Sequence, residues 1–431
     1  MLSGANISDT VDAAPAQGLV VRLTGQTGQP EAGVNVRFAA VAQPCRSNPA
    51  SRCYGVTPVF GGISQAEIGA TTDAQGRAVA SIRFSTLSGP ASIAVTVPLY
   101  GLADTARYTV QPGTVAQVTI APDTAIELAA NFRVRGAAAD RYGNPCTEAV
   151  VYGSSSAAAT VGADGQVTGA ALGGAWVRVR TAAAANWSDS ALVVVVPRAR
   201  IAVSAVHGPI RLSTLTGSPD VALISGNVNA QDWSPAGDQL VYVDDRGNDQ
   251  YALSLADTLG HSQQLPVPLT STWPQYSADG QWIYFYTNGA NQIYRIHPDG
   301  TGLQSLLAGT KPAPAPDGAR IAMSTGSGIW VGDPLTKTGA VVPGTGDAEA
   351  IRWSPDGQWI AYRARFVGQI VVLHPDGSAR GTFAGSSIGG LTWSPDSRWI
   401  LAGGSTLQLL ERSSGASWPL PVTGVYPAWR R

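Results

Sequence analysis

Acid–base, metal and nucleophilic chemistry in this 431-residue chain would have to come from four histidines, 29 acids and three cysteines. His207, His261, His297 and His374 all lie after residue 200. His297 and His374 each stand just before a Pro-Asp-Gly turn, which admits two readings: a pair of metal or acid–base ligands, or two turn residues in separate repeats. The second is favoured, because residues spaced by a repeat sit on different sheets and do not share an ion. Asp279, Asp317, Asp356 and Asp396 recur with similar turns. Calcium is one reading of them. The simpler one is that an Asp in such a turn caps the turn's own amides and needs no ion. No His-Glu-x-x-His helix, phosphate loop or dinucleotide glycine pattern occurs. The expected catalytic, cofactor-binding and metal sets are therefore empty, although 29 acids leave a carboxylate pair for glycoside hydrolysis open.

Cys45 and Cys53 bracket the polar stretch 46–52, and they are expected to form a disulfide if the compartment is oxidising. Closing so short a loop contributes about 2.6 kcal/mol in the chain-entropy model. Cys146 is then left over and reads as a small hydrophobe at a strand start. Trp282, Trp353, Trp359, Trp393 and Trp399 recur at a fixed period, and packing between repeats is favoured over a sugar-stacking platform.

The elements that must carry these residues are short strands. Gly 50 and Pro 29 supply many turns, and 44% hydrophobic residues argue against disorder. Charged residues make up only 13%, with 28 basic against 29 acidic, so no field exists to gather nucleic acid or an anionic membrane surface. No apolar run approaches the roughly 20 residues that span a bilayer; the longest, Ala191 to Pro197, is strand-sized. Residues 1–10 show neither a basic nor a hydrophobic leader segment, so the expectation is a processed start or no standard export signal.

Internal repeats give the strongest pattern. Trp233-Ser-Pro-Ala-Gly, Tyr276-Ser-Ala-Asp-Gly, Pro314-Ala-Pro-Asp-Gly, Trp353-Ser-Pro-Asp-Gly and Trp393-Ser-Pro-Asp-Ser follow at spacings of 43, 38, 39 and 40 residues. Each is followed by an apolar strand such as Trp359-Ile-Ala-Tyr. Trp429 stands 36 residues after Trp393 and opens a sixth repeat, whose missing strands are expected at residues 200–206, 210–215 and 221–224. The two ends of this segment thus share one blade, which removes open sheet edges.

These repeats resemble the TolB-like propeller repeat over residues 198–431. Upstream, Gly28-Gln-Pro-Glu-Ala-Gly-Val34 and Ala70-Thr-Thr-Asp-Ala-Gln-Gly-Arg-Ala78 resemble the bacterial Ig-like group of invasin and intimin stalks. Asp140-Arg-Tyr-Gly-Asn144 and residues 159–169 resemble the second bacterial Ig-like group. The fold expected is all-β: an extension at 1–10, Ig-like sandwiches at 11–112 and 113–197, and a six-bladed propeller at 198–431 closed by terminal strands sharing a blade. Pro112-Gly113 and Pro197-Arg198 mark linkers short enough to hold neighbouring domains at a fixed angle.

What breaks the repeat is the surface most open to function. Most links between second and third blade strands are short and Gly-rich; Asp244, Asp245, Arg246 and Asp249 form an acidic exception, and Arg363, Arg365 and Phe366 a basic-aromatic one. Their two readings are a partner-binding pair of loops and ordinary solvated charge. The irregular stretch 44–60 is the other candidate contact. The resemblance implies a non-catalytic protein-binding or scaffolding protein of the bacterial periplasm or cell surface. Such a subunit docks other envelope or membrane-complex proteins, with no nucleic acid partner and no membrane span of its own. The alternatives are a surface adhesin binding glycans and a carbohydrate-active enzyme with Ig-like spacers.

Overall fold

A computed structural model of the chain describes residues 2–46, 48–120, 122–184, 186–365, 367–385 and 389–430. Strands and turns build nearly all of it, and the protein is all-β. The first part is a sandwich of two five-stranded sheets. Strand Arg77–Phe84 shows why: it alternates strictly, turning Ala78, Ala80, Ile82 and Phe84 inward onto Leu19, Phe38 and Ile93 and leaving its arginines in water. Cys45 and Cys53 are joined by a disulfide, as expected, with Cα atoms 5.1 Å apart across a small hairpin. The stretch 44–60 is less irregular than its sequence suggests, since Val56–Phe60 is a strand of the sheet, paired with Arg77–Phe84.

In the next part, a four-stranded and a three-stranded sheet enclose Ala159, Val167, Val177, Val193 and Val195. The Asp140–Asn144 turn lies at the junction of the two parts. Asn144 is fully buried; its Nδ2 donates to the Thr86 carbonyl at 2.8 Å, and its Oδ1 accepts the Ser88 amide at 2.9 Å. Strand Asp189–Val196 explains the long apolar run. Val193 and Val195 face the sandwich core, whereas Leu192, Val194 and Val196 face Ile201, Leu401, Leu407, Leu409 and Leu420 of the following part. A strand buried on both faces reads as continuously apolar rather than alternating.

The remainder is a β-propeller. Its innermost strands are β1 (Val221–Trp233), β2 (Ser271–Tyr276), β3 (Thr310–Pro314), β4 (Ala348–Trp353), β5 (Leu391–Trp393) and β6 (Tyr426–Trp429). Each packs beside the next, and β6 returns to β1, so the ring closes. Tyr426–Trp429 pairs antiparallel with Arg200–Ser204, placing Trp429 opposite Ile201. Sequence reading treats residues 221–224 as a separate outer strand; instead they run unbroken into Trp233. The first half of β1 pairs with Gly208–Thr214 and the second with Gln239–Asp245.

Candidate binding surfaces on the propeller axis

Each innermost strand ends at its repeat residue, an aromatic in all but β3, where it is Pro314, and the turns that follow are braced from within. Ser277, Ser354 and Ser394 donate to Asp279, Asp356 and Asp396, whose oxygens also accept turn amides such as that of Gln281 at 3.0 Å. His297 and His374 stack on Trp282 and Trp359 at 3.7 and 3.9 Å, with Nδ1 of each 2.7 Å from the carbonyls of Gln281 and Gln358. These histidines and aspartates hold turns in separate sheets, and Trp233, Trp353 and Trp399 are packed away in the interior beneath arginine side chains.

Four innermost strands carry a β-bulge a few residues before the repeat aromatic, at 229–231, 272–275, 310–313 and 348–350. A bulge re-aims its side chain. At three of them Ala230, Trp273 and Lys311 take left-handed φ values of 45°, 52° and 53°, unusual for such residues and found where surrounding structure enforces them. Trp273 packs against three separate interfaces between sheets and meets Tyr426 of β6 edge-on, ring centroids 6.0 Å apart, so the axis is plugged by aromatics.

Around that plug, on the face bearing the links between second and third strands, ionisable groups gather. Arg365 reaches Asp347 at 3.0 Å and Glu349 at 4.0 Å, and Asp347 accepts from Ser324 at 2.7 Å. Burial alone would raise the Asp347 carboxyl, but the bonds from Ser324 and Arg365 and the charge of Lys311 outweigh it and hold it below the usual range. Lys311 donates to the Ala348 carbonyl at 2.8 Å, and burial lowers its pKa. Burial pushes Tyr286 up to about 12 and also raises Tyr251, where Asp245 and Asp249 add to the effect.

The sequence-derived loop residues divide on this face. Asp245 ends a strand and is buried, holding Asn229 Nδ2 and the Gly247 amide at 2.9 Å each and His207 Nδ1 at 2.9 Å. Asp244 pairs with Arg246 at 3.2 Å, and Arg246 donates to Gln264 at 2.7 Å. Asp249 is exposed at the tip. Arg363 corrects the expectation. It belongs to strand Ile360–Ala364, is fully buried, and donates to the carbonyls of Gly389 at 2.9 Å and Gly403 at 3.0 Å, so it is an internal tie rather than a surface contact. Arg365 is exposed, and Phe366 lies outside the described residues. The acidic loop follows the sheet of β1 and the basic one that of β4, with two innermost strands between them either way round the ring. Sequence reading missed Trp273, Lys311 and Tyr426, although a signal existed: each stands three residues before the repeat position, at 276, 314 and 429.

Among the described residues no helix is long and apolar enough to cross a membrane. No family model matches the chain. An uncharacterised protein of Agrobacterium fabrum is 25% identical over 200 residues, 40% of this chain, and the chain spans 66% of that relative's length, just under two thirds. Among solved structures, TolB from Acinetobacter baumannii aligns at a TM-score of 0.47 and 15% identity, covering 67% of this chain and 83% of that one. A nidogen/laminin complex aligns at 0.46 and 9%, covering 54% and 98%. Hydrazine synthase of Kuenenia stuttgartiensis aligns at 0.36 and 14%, covering 49% and 75%.

Proposed function

We propose that this chain is a non-catalytic protein-binding or scaffolding protein of the bacterial envelope, in which two Ig-like modules carry a six-bladed propeller that docks onto a larger membrane-anchored assembly. The observation that carries the reading is the link face: an aromatic plug at the axis, flanked on opposite sides by an acidic loop at Asp244–Asp249 and by Arg365 with Lys311. A filled, rigid centre with charged groups at its margin suits recognition of another protein's surface, where aromatic and arginine anchors contribute most and charges set orientation. The Cys45–Cys53 bridge fits an oxidising compartment. The apolar core shared between strand Asp189–Val196 and the propeller supports a scaffold that holds its head at a fixed angle.

A native pull-down from gently solubilised envelopes, using the full chain as bait and mass spectrometry as readout, tests this. The expected result is a stoichiometric membrane complex that survives moderate salt and is lost when Asp249→Lys and Arg365→Glu are combined. Recovery of the bait alone sinks the proposal and brings glycan arrays and hydrolase screens forward.

A further inference from the structure

The opposite mouth of the axis, on the face of the Ser-Pro-Asp-Gly turns, holds a second feature that the docking proposal does not use. One residue of each innermost strand stands immediately before the repeat position: Asp232, Gln275, Ala313, Arg352, Thr392 and Ala428. The repeat does not dictate what stands there, and four of the six are polar. Three of those side chains tie strands together: Asp232 accepts the Tyr276 amide at 3.0 Å, Gln275 donates to the Ile351 carbonyl at 2.9 Å, and Thr392 accepts the Trp429 amide at 3.2 Å. Between them lies a cavity of about 240 Å³ lined by Asp232, Gln275, Arg352 and Thr392 and walled by Trp353 and Trp393. At about 30 Å³ per water, it holds roughly eight waters, or one solute of a few heavy atoms.

The charges select among such solutes. Asp232 comes from β1 and Arg352 from β4, which are separated by two innermost strands in either direction, so a carboxylate and a guanidinium border one small space from opposite sides. A lone anion meets Asp232, and a lone cation meets Arg352. A molecule bearing both charges a few bonds apart satisfies the two walls together, each through a charge-assisted hydrogen bond. We propose that this cavity binds a small zwitterion of free α-amino-acid size, its carboxylate toward Arg352 and its ammonium toward Asp232.

Titration calorimetry on the full chain tests it with glycine, L-alanine, L-serine and L-leucine, against propionate, propylamine and glucose as single-feature controls. Tryptophan emission serves as a second readout, since Trp353 and Trp393 form the walls. At least one amino acid should bind at one site per chain, with propionate and propylamine weaker by roughly tenfold or more, the loss of one charge-assisted bond. Asp232→Asn keeps an acceptor for the Tyr276 amide and should weaken binding to a similar extent; Arg352→Gln should do likewise, and Arg352→Lys should restore most of it. Circular dichroism identifies any variant that has lost its fold, in which case the ligand panel on the unaltered chain decides. Glucose or a singly charged control binding as tightly as the amino acids overturns the proposal, as does a panel with no binder. So does binding that folded Asp232→Asn and Arg352→Gln leave unchanged.

Discussion

Two arginines separated by one residue show how far a side chain's role depends on the sheet it meets. Arg363 and Arg365 read alike in sequence, as the basic half of a loop. The end of strand Ile360–Ala364 falls between them: Arg363, inside the strand, turns inward to the carbonyls of Gly389 and Gly403 in the neighbouring sheet, and Arg365, just past its end, turns outward to Asp347. Both glycine positions are closed to a side chain, because a Cβ at either would run into the Val425 carbonyl. Removing Arg363 strands two buried acceptors, and each such loss costs about 1–3 kcal/mol. Arg363→Met should therefore destabilise the propeller by roughly 3 kcal/mol in urea unfolding, whereas Arg365→Met should leave the midpoint almost where it was and alter only partner binding. Equal midpoints for the two variants would refute the assignment of Arg363 as an internal tie. Nothing in the local sequence distinguishes these residues, because Gly389 and Gly403 lie 26 and 40 positions away.

At the scale of the element, periodicity carried most of the information, and its exceptions carried the rest. The Trp-Ser-Pro-Asp-Gly spacing locates the end of every innermost strand, because a turn with fixed capping chemistry cannot drift in a closed ring. Trp273 and Lys311 were marked in the sequence only by their place three residues before the repeat position, and their bulges by nothing, since a bulge inserts its residue without a composition of its own and the axis it faces exists only after closure. The run Ala191 to Pro197 was legible as a strand but not as a junction: an apolar stretch says that both faces are covered without saying by what. Alanine substitutions separate the two coverings. Val193→Ala and Val194→Ala should each cost roughly 2 kcal/mol, the first through the sandwich core and the second through the contact with the propeller. Val79→Ala, on an outward position that is 55% exposed, should change stability by less than about 0.5 kcal/mol. A neutral Val194→Ala in the same denaturation series would mean that the propeller does not cover that face in solution.

Across the whole molecule, the two junctions are built from different materials. The first is polar: Asp12 accepts from Arg83 at 2.6 Å and, across the boundary, from Arg141 at 3.1 Å and the Tyr142 hydroxyl at 3.2 Å, beside the buried Asn144. The second is apolar, with Leu192, Val194 and Val196 continuous with the propeller core and Trp418 lying over Gly174. Hydrogen-bonded ion pairs near water are screened by salt, and apolar contact is not. Salt should therefore loosen the first sandwich from the second while the second stays coupled to the propeller. The apolar junction can be opened from one position, because a Cβ on Gly174 would overlap the Trp418 indole, whereas the Gly174 backbone itself is in a region any residue adopts. Gly174→Leu should thus leave each part folded but push the second sandwich off the propeller. Calorimetry should then resolve separate unfolding transitions where the unaltered chain couples them, and small-angle scattering should show a larger radius of gyration. A single transition and an unchanged radius would show that the Trp418 contact does not hold the junction; the rigid mounting that the docking proposal relies on would then have to come from the linker at Pro197 alone.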